Sequence, residues 1–239
     1  MKGYSKNYWS ERSNKYNKTN WVNDQKYMDT YLGLLPHKQF DNILEVGIGT
    51  GAVANAVSER IGALIGIDFS AEMISKIDHP GIDARLADAH ALPFMDNSFD
   101  LIYMRNVIHY LDDPALAFSE IFRCLKPNRY FLFSQVIPPD DSISEEYDWL
   151  IGRNIHYPTQ AEILDTFDDF KIVKHKKFIL EKQSVLNWLN NTCNDDSKKA
   201  EIIEKHHKTS NRYKELAKFE TEKNDILVNI KHMIILGKK

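Results

Sequence analysis

Ile43-Leu44-Glu45-Val46-Gly47-Ile48-Gly49-Thr50-Gly51 is a short apolar run closed by glycines at alternate positions. Ile43, Leu44 and Val46 are too brief a run for a helix, and the glycine cluster ends it in a tight turn, the pattern of a fully buried strand. Ala52-Val53-Ala54-Asn55-Ala56-Val57-Ser58 follows, rich in alanine and suited to a helix. Strand, glycine loop and helix in that order let a backbone approach a ligand closely and present unpaired helix N–H groups to it. Gly47-x-Gly49-x-x-Ala52 formally satisfies a dinucleotide fingerprint, while Gly49-x-Gly51 is a denser spacing. A strand end that merely needs a flexible turn would look the same.

Reading onward, Ala63-Leu64-Ile65-Gly66-Ile67-Asp68 is a second buried strand that ends in an acid, 19 positions beyond Gly49. A second-strand carboxylate reaches ribose hydroxyls at about this spacing; its bland alternative is the cap of a helix starting near Ser70. Ile82 to Ala87, Ser98 to Met104 and Tyr130 to Val136 read as three more strands, with a helix from Pro114 to about Leu125 between the last two. Alternation of strand and helix predicts a mostly parallel sheet covered on both faces, with ligands bound at the carboxyl ends of its strands. Asp68, Asp88, Arg105 and His109 each fall just after a strand.

The sides of the chain are less regular. Trp21 to Leu35 carries apolar residues at helical spacing, so one or two N-terminal helices are expected against the glycine-loop edge of the sheet. After Ile137-Pro138-Pro139 a short helix with Trp149 is expected over Asp141 to Gly152, and Thr159-x-x-Glu162 is a capping box before another. Phe170 to Leu180 and Asp225 to Leu236 read as two further strands, the second placed antiparallel beside the fifth in a sheet of seven. Residues 183–217 between them read as charged helix.

With 239 residues and a net charge of -3, the chain allows one large α/β domain and argues against nucleic acid as an obligate partner. Cys124 and Cys193 are too few for a disulfide framework, and Cys124 reads as a packing residue. His206 and His207 are adjacent, so on a helix they diverge and no metal site is expected. No run approaches the roughly 18 apolar residues of a membrane span and no signal-peptide pattern is present, so a cytoplasmic protein is expected.

Five segments together resemble the class I S-adenosylmethionine-dependent methyltransferases, in the group acting on small molecules. Leu44-Glu45-Val46-Gly47-x-Gly49-Thr50-Gly51 looks like that family's first motif and Gly66-Ile67-Asp68-Phe69-Ser70 like its second. Asp88-Ala89-x-x-Leu92-Pro93-Phe94 with Ser98-Phe99-Asp100-Leu101-Ile102, then Arg105-Asn106-Val107-Ile108-His109-Tyr110-Leu111, then Leu125-Lys126-Pro127, continue it in register. Two positions depart: Asn128-Arg129 stands where the family usually has Gly-Gly, and Ile48 replaces a smaller residue. Asparagine tolerates the left-handed backbone such a turn needs.

The resemblance implies a Rossmann-like sheet with an antiparallel last strand and S-adenosyl-L-methionine as cofactor. It assigns Glu45 to the methionine ammonium and the backbone of Gly47 and Gly49 to the methionine end. Asp68 takes the ribose, Phe69 and Met73 cover the adenine, Asp88 and Ala89 read its edge, and Arg105 backbone closes over the sulfonium. An anionic rim suits a cationic cofactor better than a pyrophosphate. His109 is the candidate base, if the nucleophile must lose a proton, with pocket shaping as its alternative.

One domain is expected: 1–36 as lid helices, 40–137 as the cofactor core, 138–217 as substrate segments interleaved with the sheet, and 225–239 as the last strand. Nothing in 40–137 encloses an acceptor, so Trp9, Tyr16, Trp21, Trp149, Arg153, His156 and Tyr157 are the expected pocket walls, on segments that form a lid. Tyr16, Trp21, Trp149, Arg153 and His156 are the named substrate contacts. The partner is a small-molecule acceptor, without nucleic acid or membrane, in a monomer or homodimer. Competing readings are a nucleic-acid or protein methyltransferase, a non-catalytic cofactor binder of the same fold, and a nicotinamide dehydrogenase.

Overall fold

A computed structural model describes residues 13, 15, 24–152 and 155–239 of the chain. In order these form α1 (Gln25–Leu32), β1 (Ile43–Val46), α2 (Ala52–Ile61), β2 (Leu64–Asp68), α3 (Ala71–Ile74), β3 (Ile82–Leu86), β4 (Phe99–Arg105), α4 (Pro114–Cys124) and β5 (Leu125–Ile137). Then come α5 (Ser144–Ile151), α6 (Gln160–Asp165), β6 (Lys171–Ser184), α7 (Val185–Thr192), α8 (Asp196–Lys208), α9 (Asn211–Leu216), β7 (Glu220–Glu222) and β8 (Asp225–Lys238).

The strands lie in the order β3-β2-β1-β4-β5-β8-β6, with β7 added to β8. Every neighbouring pair from β3 to β5 is parallel, and β8 runs antiparallel to both β5 and β6. The expected antiparallel insertion beside the fifth strand is therefore present. The sheet has eight strands rather than seven, because the three-residue β7 folds back on the start of β8 through Glu222↔Asp225. Strand order reverses between β1 and β4, and that reversal opens the crevice where such sheets bind ligands.

Alternation along the strands builds the two faces. Leu44, Val46, Ile102, Met104, Phe131 and Phe133 point to one side and bury α4 and the segment around Phe167 and Phe170. Ile43, Leu101, Tyr103, Leu132 and Ile234 point to the other and bury α1 and α2. Each helix begins as its sequence dictates. Asp113 caps α4 ahead of Pro114, and Thr159 and Glu162 make the reciprocal capping box of α6. Asn128 takes the left-handed turn (φ 63°) in the place where a glycine pair was missed.

Trp21 lies outside the described residues. One placement differs from expectation: α1 packs over β4 and β5 rather than at the glycine-loop edge. Buried tyrosine hydroxyls need partners, and these find them there: Tyr27 donates to Ser134 Oγ (2.6 Å) and Tyr31 to the Leu132 carbonyl (3.3 Å).

β8 is longer than the strand it borders. Its pairing with β5 stops at Ile137↔Lys231, while pairing with β6 continues to Ser184↔Leu227. Residues 225–230 thus form a ribbon with β6 that overhangs the carboxyl end of the sheet by roughly 20 Å at about 3.4 Å per residue. A third cluster, including Tyr147, Leu150, Val185, Leu189, Ile202, Tyr213 and Val228, joins that ribbon to α5, α7, α8 and α9.

Candidate functional site

The loop after β1 is pinned to β2, Gly47 and Ile48 both donating to the Ile67 carbonyl (2.8 and 2.9 Å). Gly47 and Gly49 have φ of 78° and 56°, which L side chains rarely adopt. A Cβ on Gly47 would stand 2.3 Å from Val107 Cγ2, whereas one on Gly49 would meet nothing within 4 Å. The first glycine allows two chain segments to touch, and the second faces open space.

Asp68 at the end of β2 turns back to this loop. It accepts from Gly49 N (2.9 Å) and Ser70 N (3.0 Å). Burial raises its pKa, against these N–H groups and that of Phe69.

One cavity runs from Gly47, Gly49, Asp68, Phe69, Met73 and Ala89, past Arg105, Asn106 and His109, to Tyr147, Tyr157, Trp188, Tyr213, Ile230 and His232. Eight of the residues named from sequence therefore share one wall: Gly47, Gly49, Asp68, Phe69, Met73, Ala89, Arg105 and His109. Tyr157, expected as a pocket wall, lines it too.

Glu45 is not among them. Alternation along β1 turns it to the face of α1, where it is 2% exposed and accepts from Tyr103 Oη (2.7 Å). Burial lifts its pKa to about 8, against Tyr103 and Arg105. Between about 4.5 and 8 the folded protein holds this proton and the unfolded chain does not. Stability must therefore fall as pH rises through that window, by up to about 1.4 kcal/mol per pH unit. Glu45→Gln keeps an acceptor for Tyr103 and should flatten that fall in thermal melts from acid to mildly alkaline pH. A variant that tracks the wild type at every pH would mean that the folded protein ionises Glu45 normally.

Asp88 also misses the cavity wall. It turns outward to His90, whose backbone N (2.9 Å) and Nδ1 (2.7 Å) it engages, and the backbone contact lowers its pKa.

Two of the expected substrate contacts do not line this cavity. Trp149 is 46% exposed and lies beneath Lys205 Nζ (5.4 Å), not in the cavity. Tyr147 and Ile151 of α5 are four apart and share the face that lines the cavity, and a residue midway between them points elsewhere. His156 is held outside by two carboxylates, Asp148 (2.7 Å) and Glu162 (3.0 Å), which raise its pKa against the opposing effect of burial. Tyr16, Arg153 and Trp9, like Trp21, lie outside the described residues.

His109 is 4% exposed and stacks on Tyr157 at 4.7 Å. Its Nδ1 lies 2.9 Å from Gln135 Nε2 and 3.2 Å from Oε1. The amide nitrogen also donates to the Val136 carbonyl (2.9 Å), which fixes the amide orientation and makes Nδ1 the acceptor. That assignment places the imidazole hydrogen on Nε2.

Sequence reading missed Trp188, Tyr213, Asn106 and His232. His232 left a trace: it interrupts the apolar alternation Ile230, His232, Ile234, Leu236. Among the described residues no cluster of His, Cys, Asp or Glu could hold a metal, and no helix is long and apolar enough to cross a membrane.

Residues 44–133 match the family described as "Methyltransferase domain". Malonyl-[acyl-carrier protein] O-methyltransferase of Marinomonas sp. is 32% identical over 114 residues, 45% of this chain and 42% of that protein. The uncharacterized methyltransferase YcgJ of Bacillus subtilis is 32% identical over 112 residues, 44% of each. This chain thus matches less than half the length of either relative. The YcgJ crystal structure superposes with a TM-score of 0.76 at 20% identity over 90% of this chain and 99% of that one. Phosphoethanolamine N-methyltransferase 2 of Haemonchus contortus, solved with phosphomonomethylethanolamine and S-adenosylhomocysteine, gives 0.66 at 15% identity over 95% and 57%. At these identities the two structures bear on the fold alone.

Proposed function

We propose that this chain is a class I S-adenosylmethionine-dependent methyltransferase that methylates a small molecule, a reading supported by the family match over residues 44–133 and by the shared fold. The carrying observation is the continuity of the cavity: an Asp68 and glycine-loop cradle opens directly into an aromatic chamber at the end of the sheet. The cradle fits the cofactor. The Gly49 Cβ position is open, the half-buried Asp68 carboxylate could accept from a ribose, and Phe69 and Met73 line the cavity with it.

Asp68 would hold the ribose hydroxyls, Gly47 and Gly49 the methionine end, and Ala89 the adenine edge. S-adenosylmethionine supplies an electrophilic methyl carried on a sulfonium. The chain's task is then alignment and exclusion of water, and orientation alone can supply much of the rate. Tyr147, Tyr157, Trp188 and Tyr213 give the chamber rigid aromatic walls, the usual lining of a small-molecule pocket. His109, donating through Nε2, would orient the acceptor rather than deprotonate it.

Calorimetry tests the cofactor side. S-adenosylmethionine and S-adenosylhomocysteine should bind with dissociation constants in the micromolar range, about −8 kcal/mol, and a nicotinamide dinucleotide should give no heat. A folded protein that binds neither sulfur compound would sink the reading.

A further inference from the structure

We propose that His232 holds the methyl acceptor, hydrogen-bonding an uncharged hydroxyl on a flat, largely apolar molecule. The inference rests on the methyltransferase reading for what that molecule is, but the site stands on its own geometry.

His232 is fully buried, borders the cavity and packs on the Tyr27 ring at 5.0 Å; neither ring nitrogen makes a hydrogen bond of good geometry, and the Ile230 carbonyl is the acceptor beside it. Buried polar atoms are normally paired, so a ring this short of partners at the edge of a cavity calls for a ligand. Val228 and Ile230, which share its face of β8, line the same cavity, as does its cross-strand partner Val136. Register places it by the reaction centre. Arg105, the last residue of β4, pairs with Ser134, which pairs with Ile234, and His232 lies one pleat beyond, two strands or roughly 10 Å across. That is the level just past the carboxyl end of β4.

The rest of the cavity decides the chemical class. The His109 ring lies on Tyr157 at an 18° interplanar angle, and Trp188 and Tyr213 stand on the same cavity, walls that suit a planar molecule. Among the described lining residues the only carboxylate is Asp68, at the cofactor end. Burial and the Arg105 cation drive the His232 pKa down to about 3, with the Ile230 carbonyl opposing, so the ring is neutral. A neutral imidazole offers one donor and one acceptor. A hydroxyl matches both roles. A carboxylate could pair with Arg105 but would leave the acceptor nitrogen of the ring without a donor, and an ammonium would face Arg105 with no counter-charge at this end of the described wall.

The experiment uses the full chain loaded with S-adenosylhomocysteine, whose own binding, measured first, decides the underlying reading. Titration then compares 2-naphthol, naphthalene, 2-naphthoate and 2-naphthylmethylammonium, equal in shape and different in polar group. The naphthol should bind about tenfold tighter than naphthalene, the scale of one hydrogen bond to an otherwise unpaired buried group, and tighter than either ion. His232→Phe should erase the preference while leaving the affinity for S-adenosylhomocysteine unchanged. His232→Gln, which keeps a donor and an acceptor, should retain it. Equal binding of naphthol and naphthalene by the wild type overturns the proposal without any variant. So does tightest binding of either ion, a preference that survives His232→Phe, or failure of the whole series to bind.

Discussion

Asp68→Ala should weaken S-adenosylmethionine binding by about 1–3 kcal/mol, about five- to 150-fold in dissociation constant, because on the proposed function the ribose hydroxyls would lose a half-buried carboxylate acceptor. Fold stability should change far less. Burial already makes this carboxylate costly to ionise, so its removal relieves a penalty. The same removal leaves Gly49 N and Ser70 N without their acceptor, and the two effects oppose each other. Calorimetry on the variant, with a thermal melt beside it, separates binding from folding. Unchanged affinity would reduce Asp68 to a staple between the glycine loop and the turn after β2.

Gly47→Ala should be the more damaging change to the fold, and its contrast with Gly49→Ala is the sharper measurement. Both sites have a left-handed backbone, which costs a residue with a side chain about 1–2 kcal/mol. At Gly47 the new methyl would also stand 2.3 Å from Val107 Cγ2, an overpacking that adds about 1–3 kcal/mol. Denaturant unfolding should therefore show a loss of about 2–5 kcal/mol for Gly47→Ala and no more than about 2 for Gly49→Ala. Affinity for S-adenosylhomocysteine should fall in both, since the second methyl projects into the cradle. Equal stability of the two variants would mean that the loop and Val107 move apart freely.

The parallel half of the molecule was legible because its strands are buried on both faces and read as unbroken apolar runs. Asp68, Arg105 and His109 could be placed because each follows such a run and thus falls at one end of the sheet. The aromatic end of the cavity was not legible for a physical reason. Trp188, Tyr213 and His232 are far apart in sequence and meet only because β8 enters antiparallel and carries its overhang past β5. Trp149 and His156 lay nearer in sequence, but helix phase turns one outward and a pair of carboxylates holds the other. Glu45 was placed by its motif, and the pleat of β1 puts its carboxylate behind the loop instead of before it.

The overhanging ribbon divides the molecule along a line that heredity could follow. The stretch shared with the family ends at residue 133, before any of the ribbon or the helices it carries. Those later segments can diverge, or be exchanged between homologues as a cassette, while the cradle formed by Gly47, Gly49 and Asp68 is left intact. On the proposed function, a chimera that takes residues 138–232, which hold Tyr147, Tyr157, Trp188, Tyr213 and His232, from a homologue of different selectivity should shift toward that homologue's acceptor and leave the affinity for S-adenosylhomocysteine unchanged.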